Sequence, residues 1–153
     1  MTLEALRSRN PLLAKLNDEE LDFFESVSTP AEFAPSAILF EEDAPADSFY
    51  IVSSGRVGLE MTTPGKAPIV LQTLGAGQLV GVSWLFAPYR WSWRARALAA
   101  TTTLAFDAAR IREECGVNRD LGFRVAAVLA EEAIKRLHGA RLQLLDLYQS
   151  VEQ

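Results

Sequence analysis

Among 153 residues the sequence holds one cysteine, Cys115, and one histidine, His138. A lone cysteine cannot form an internal bridge, so a disulfide-stapled secreted scaffold is excluded. Zinc and non-haem iron centres draw on several His or Cys ligands, so neither a metal site nor a cupin-like metal oxygenase is expected, and no bound cofactor is implied. A Ser/His hydrolase is equally ill supplied: no histidine lies near Ser83 or Ser92, and His138 sits among Lys135, Arg136 and Arg141. Cys115 follows Glu113 and Glu114, whose charge disfavours a thiolate nucleophile. The sequence also lacks a basic start followed by an apolar run, and no apolar stretch approaches the roughly 20 residues that span a bilayer. A cytoplasmic, non-enzymatic chain without membrane association is therefore expected. Finally, 15 basic residues against 20 acidic ones give a net charge of −5, with no Lys/Arg block to meet phosphates. General nucleic-acid binding is not expected from such a surface.

What is present is enough apolar material, 49% of residues, for one well-buried domain over residues 1–153. Its texture changes twice. Residues 1–28 read as a helical entry, in which Asn17-Asp18-Glu19-Glu20 fits a capping box followed by Leu21, Phe24 and Val27 on one face. Residues 29–107 read as short strands, Ala37–Phe40, Ser48–Val52, Arg56–Met61, Ile69–Leu74, Trp91–Ala97 and Leu104–Asp107, parted by Pro and Gly turns. Such spacing points to an antiparallel sandwich or barrel. Residues 108–153 are helical, with a break at Gly116-Val117-Asn118. There Ala126, Ala130, Ala133, Leu137, Ala140, Leu144, Leu147 and Val151 alternate at spacings of four and three, an a/d seam suited to pairing with a second copy of the chain. Ala133, Leu137, Ala140, Leu144 and Leu147 form its centre, the expected homodimer interface. The paired carboxylates Glu19-Glu20, Glu41-Glu42-Asp43, Glu113-Glu114 and Glu131-Glu132 lie at helix starts, turns or helix faces and read as solvated surface.

The run from Asp47 to Val57, Asp-Ser-Phe-Tyr-Ile-Val-Ser-Ser-Gly-Arg-Val, resembles the most recognisable segment of the cyclic nucleotide-binding domain family. Leu16–Leu21, Ile38–Ala46 and Leu74-Gly75-Ala76-Gly77 are similar to the family more loosely, and the likeness covers about residues 10 to 148. The resemblance implies a mainly β fold with flanking helices, an antiparallel β-roll of the jelly-roll, cupin-like kind, followed by a long C-terminal dimerisation helix. It also implies a regulatory sensor whose ligand is a small anion such as cyclic AMP or cyclic GMP. In the catabolite activator type a helix-turn-helix follows that helix. With the sequence ending at Gln153, DNA binding by this chain alone is not expected, and regulation would act through a partner protein.

In that family the ligand sits on a loop between two late strands, where helix amides and an Arg hold the phosphate and a Glu accepts from the ribose hydroxyl. The matching stretch here runs from Gly77 to Ala97. Gly81 is kept, Val82 stands at the Glu position with Ser83 beside it, and Trp91 stands at the Arg position with Arg90 and Ser92 as neighbours. The resemblance thus marks Gly81, Val82, Ser83, Trp84, Arg90, Trp91 and Ser92 as the candidate ligand segment. Losing the Glu contact typically costs about 1–3 kcal/mol. Trp84, Trp91 and Trp93, with Phe86 and Tyr89, read either as a stacking wall for a flat ligand or as a plug that leaves a ligand-free, dimeric adaptor. Pro88–Leu98 and Arg141–Tyr148 resemble runs shared by small bacterial proteins that carry this domain alone.

Overall fold

The amino-terminal helices begin where a polar side chain can satisfy free amides. In the computed structural model, which describes residues 2–152, Thr2 caps α1 (Leu3–Arg7) and Asn10 caps α2 (Pro11–Ala14). Asn10 also donates from Nδ2 to the Gly77 carbonyl at 2.9 Å, which ties the entry helices to the sheet region. The capping box read from the sequence is present at α3 (Asp18–Ser26): Glu20 N–H donates to Asn17 at 2.8 Å, and Asn17 N–H donates to the Glu20 carboxylate at 2.9 Å.

Eight strands follow: β1 (Ser28–Phe33), β2 (Ile38–Phe40), β3 (Ser48–Ser54), β4 (Val57–Met61), β5 (Ile69–Leu74), β6 (Leu79–Val80), β7 (Arg94–Ala97) and β8 (Thr101–Asp107). They form two four-stranded antiparallel sheets, ordered β1-β8-β3-β6 and β2-β7-β4-β5. Alternation along β4 and β7 buries Val57, Leu59 and Ala95 with Val52, Leu74 and Val80 in one cluster. Gly55, at φ +97°, makes the tight β3–β4 turn; a Cβ there would lie 2.5 Å from the Ala100 carbonyl oxygen. The mainly β class with flanking helices is as expected, and four strands differ from the reading above: β1 and the two-residue β6 are additional, β7 begins later than expected, and β8 begins at Thr101 rather than Leu104. β1 contains Pro30, and as an edge strand it tolerates the missing N–H. The expected strand Trp91–Ala97 begins only at Arg94, so Trp91 and Trp93 do not share a strand face.

Two helices complete the described residues, α4 (Ala108–Val117) and α5 (Arg119–Glu152), separated at Asn118; of the expected break, Gly116 and Val117 belong to α4. A larger apolar cluster joins α1–α3, Phe49, Ile51 and Phe106 of the sheet, and Leu121, Val125, Val128 and Leu129 of α5. At 1.5 Å per residue α5 is roughly 50 Å long and outruns the roll. Of the seam, Ala140 is buried within the chain, whereas Leu137, Leu144 and Leu147 are exposed. Val151 lies outside the residues whose side chains are described. Among the described residues no helix is long and apolar enough to cross a membrane.

Glu20 corrects the reading of paired carboxylates as solvated surface. It is only 7% exposed, and its two carboxylate oxygens accept from Arg124 of α5 at 2.8 and 2.6 Å. The Arg124 guanidinium holds the Glu20 carboxyl below its ordinary value of 4.5, outweighing burial, with help from the Asn17 amide. A carboxyl with a lowered folded pKa contributes stability above its unfolded pKa and loses it as pH falls through the folded one. Thermal melts between neutral pH and pH 3 should therefore show the wild type losing stability below about pH 4.5, with Glu20→Gln showing a flatter acid limb and a neutral-pH loss of about 1–3 kcal/mol. Parallel acid limbs for the two proteins would contradict this role.

Candidate functional site

The loop that carries the candidate residues leaves β6 at Gly81, whose φ of +104° turns the chain sharply. A single 3-10 turn, Ser83–Leu85, follows, and then the exposed segment Phe86 to Arg90, which contains a cis Ala87–Pro88 bond. Backbone bonds fix its return: Asp43 N–H donates to the Trp91 carbonyl at 2.8 Å, and Trp91 N–H donates to the Ala44 carbonyl at 3.0 Å. From that anchored position the indole turns inward. It stacks on Phe40 with centroids 4.0 Å apart and planes 14° apart, and it is 4% exposed. A Cβ at Gly81 would lie 2.5 Å from the Trp91 ring, so the indole occupies space that only glycine leaves free.

Beneath this contact lies a cleft lined by Phe40, Leu59, Gly81, Val82, Ser83, Trp91, Ser92, Trp93 and Arg136, with a free volume of about 10 Å³. That is room for about one water and far too little for a nucleotide. Of the two aromatic readings, the indole of Trp91 thus acts as the plug. Trp84 is separate from the cleft, fully buried and stacked on Phe49 at 4.2 Å. Ser83 donates its hydroxyl to the Arg90 carbonyl at 2.8 Å and so braces the loop, while Ser92 is exposed beside the cleft.

Neither Arg90 of the loop nor Arg94 and Arg96 of β7 line the cleft. Arg90 is exposed and donates Nη1 to the Asp43 carbonyl at 2.7 Å. Arg94 and Arg96 both grip Glu60, at 2.6 and 2.8 Å, in a cross-strand cluster that leaves Glu60 only 3% exposed. By strand alternation this cluster lies on the face opposite Leu59 and Ala95. Arg112 of α4 clamps the loop from below: Nη1 donates to the Ala46 and Trp84 carbonyls at 3.0 and 2.6 Å, and its guanidinium lies 4.6 Å from the Tyr89 ring centroid.

The cation that reaches the cleft comes from α5. Arg136 is 5% exposed, donates Nη2 to the Leu79 carbonyl just before the loop, and leaves Nε without a partner. Burial lowers its pKa to about 10, partly offset by Glu132, so it stays charged at neutral pH. Arg136 is not among the candidate residues above, although helical spacing points to it: the buried stripe Leu121, Val125, Leu129 continues through Arg136 to Ala140. Cys115 is buried, and burial with Glu114 and Glu20 raises its thiol to about 11, which keeps it protonated. Among the described residues no cluster of His, Cys, Asp and Glu could hold a metal ion.

This roll, loop and long helix can be set beside known proteins. The profile of the cyclic nucleotide-binding domain matches residues 30–118. The chain belongs to the cyclic nucleotide-binding domain family. It is similar to a provisionally assigned cyclic nucleotide-binding protein from Geobacter metallireducens, with 28% identity, 90% of this chain and 99% of that one covered, and a TM-score of 0.79. The Thermus thermophilus catabolite activator protein is 31% identical at a TM-score of 0.67, covering 91% of this chain and 63% of that one. The N-terminal domain of a Streptomyces coelicolor transcriptional regulator is 27% identical at a TM-score of 0.68, covering 85% and 91%. No curated protein matches the sequence. Within this family the domain is typical of regulatory and sensor proteins, which are generally non-enzymatic.

The Trp91–Gly81 contact predicts a specific coupling. Gly81→Ala should cost about 2–4 kcal/mol through backbone strain and overpacking, and Trp91→Ala about 3–5 kcal/mol through the cavity it leaves. In the double mutant the steric part of the Gly81→Ala cost disappears, so urea unfolding should give a sum smaller than additive by about 1 kcal/mol or more. Strict additivity would mean that the two residues do not press on one another.

Proposed function

We propose that the chain is a non-enzymatic sensor domain. It binds a small anionic ligand of the cyclic nucleotide type in the cleft under the Gly81–Ser92 loop and signals by shifting α5. The observation that supports this is the direct contact between cleft and helix: Arg136 lines one and belongs to the other. A ligand that displaces the Trp91 indole changes the packing next to α5, so occupancy and helix position become linked in the sense required for allostery. Trp91 then acts as the resident plug of the ligand-free state, and Val82 predicts a weak grip on the ribose.

A second reading has a specific observation behind it. With Trp91 filling the cleft and no Glu at position 82, the domain would be a permanently closed adaptor that works through its surface. Isothermal titration with cyclic AMP and cyclic GMP, read beside tryptophan emission, separates the two. Saturable micromolar binding with an emission change supports the sensor. Neither heat nor emission change at millimolar nucleotide supports the adaptor.

Both readings place a second copy of the chain on α5. Ile134, Leu137, Leu142, Leu144, Leu145 and Tyr148 are exposed apolar side chains on one helix, beside a groove of about 670 Å³ whose lining includes Trp93 and Ala140. So much contiguous apolar surface is characteristic of an interface. Sedimentation equilibrium should give a homodimer for the wild type, and Leu137→Glu with Leu144→Glu should give a folded monomer; a wild-type monomer at micromolar concentration would remove the helix pairing. Signalling would then pass through a partner protein, in a cytoplasmic setting.

A further inference from the structure

Arg136 is a cation buried by the fold without a matching anion. Among the described residues it has no ion pair, although Glu132 acts on it at longer range. Its Nη2 donates to the Leu79 carbonyl, its Nε is buried without a partner, and the residue lines a cleft closed by an aromatic plug. Buried polar groups are almost always hydrogen-bonded, and a buried charge left unpaired is the costlier exception. An arginine whose only function was to staple α5 to β6 would need the carbonyl contact and gain nothing from a buried Nε left free.

Among the described residues that line the cleft, Arg136 alone is charged. Phe40, Leu59, Val82 and the two indoles are apolar, Ser83 and Ser92 offer hydroxyls without charge, and the arginines of the loop and of β7 are engaged elsewhere, Arg90 by the Asp43 carbonyl and Arg94 and Arg96 by Glu60. We propose that Arg136 of α5, rather than any residue of the loop, grips the phosphodiester anion of the ligand through Nε and an adjacent Nη, once the Trp91 indole has moved aside. This rests on the sensor reading and specifies its coupling. The charge that recognises the ligand stands on the helix that signals, one position before the exposed Leu137 of the expected dimer face. A charge-assisted contact at such a site is both strong and directional.

The test compares cyclic AMP with adenosine, which carries the base and ribose without the anion, on the full chain. Titration of the wild type should give tighter binding of cyclic AMP than of adenosine. Arg136→Gln should weaken cyclic AMP roughly 10- to 100-fold and bring it level with adenosine, with Arg136→Lys intermediate. Arg110→Gln, which removes an exposed charge from α4, should leave both affinities unchanged. Because Arg136→Gln also loses the Leu79 contact, the wild type supplies an independent readout. With arginine labelled in 15N, the Arg136 Nε–Hε resonance should shift on adding cyclic AMP and stay put with adenosine. Cyclic AMP binding that survives Arg136→Gln with the Nε resonance unmoved would overturn this assignment and leave the sensor standing. Absence of cyclic AMP binding by the wild type would remove the sensor itself and the assignment with it.

Discussion

The close approach of the Trp91 indole to the backbone of Gly81 is the contact around which the site is organised. It requires glycine at φ +104°, it requires Phe40 as a stacking partner, and it requires the loop to return along Asp43 and Ala44 so that the indole points inward. With those conditions met, a roll mouth that would otherwise be open becomes apolar and nearly empty of space. Arg112 and Ser83 hold the loop in that position from outside, by contacts to main-chain carbonyls that do not depend on what the cleft contains.

Charge placement follows from this closure. With the mouth filled, the arginines of the loop and of β7 find partners away from it: Arg90 a carbonyl, Arg94 and Arg96 the nearly buried Glu60. The cation left beside the cleft belongs to α5. The same helix is packed on the roll along one stripe and bare along another, so it faces the cleft and the solvent at once. A helix in that position can transmit a small rearrangement at the cleft to a surface many residues away, because packed elements shift as rigid bodies rather than deform.

Much of the frame was legible because its signals are local. Asn17 and Glu20 form their capping box within four residues, and Ser54-Gly55 set their turn within two. The Asp47–Val57 run identified the family because it encodes β3, its turn and the start of β4 in one segment. The misses are non-local. The strand Ser28–Phe33 is missing from the expected set because Pro30 is tolerated there only at an edge, and being an edge is a property of the sheet. Trp91 and Trp93 were assigned to one strand because alternation was counted from a strand start three residues too early. Glu20 was read as surface because Arg124, its partner, lies 104 residues away. Arg136 is absent from the candidate residues because the direction it faces is fixed only by the phase of α5 against the roll.

On the proposed sensor reading, Trp91 holds the cleft shut until an anionic ligand displaces it. The most direct measurement is the 19F spectrum of the protein labelled with 5-fluorotryptophan, whose three tryptophans give three resonances. Trp91→Phe identifies one of them. On titration with cyclic AMP the Trp91 resonance should move saturably while that of Trp84, stacked in the core, stays fixed. Three resonances unmoved at millimolar cyclic AMP would contradict the account and leave a domain whose pocket is closed for good.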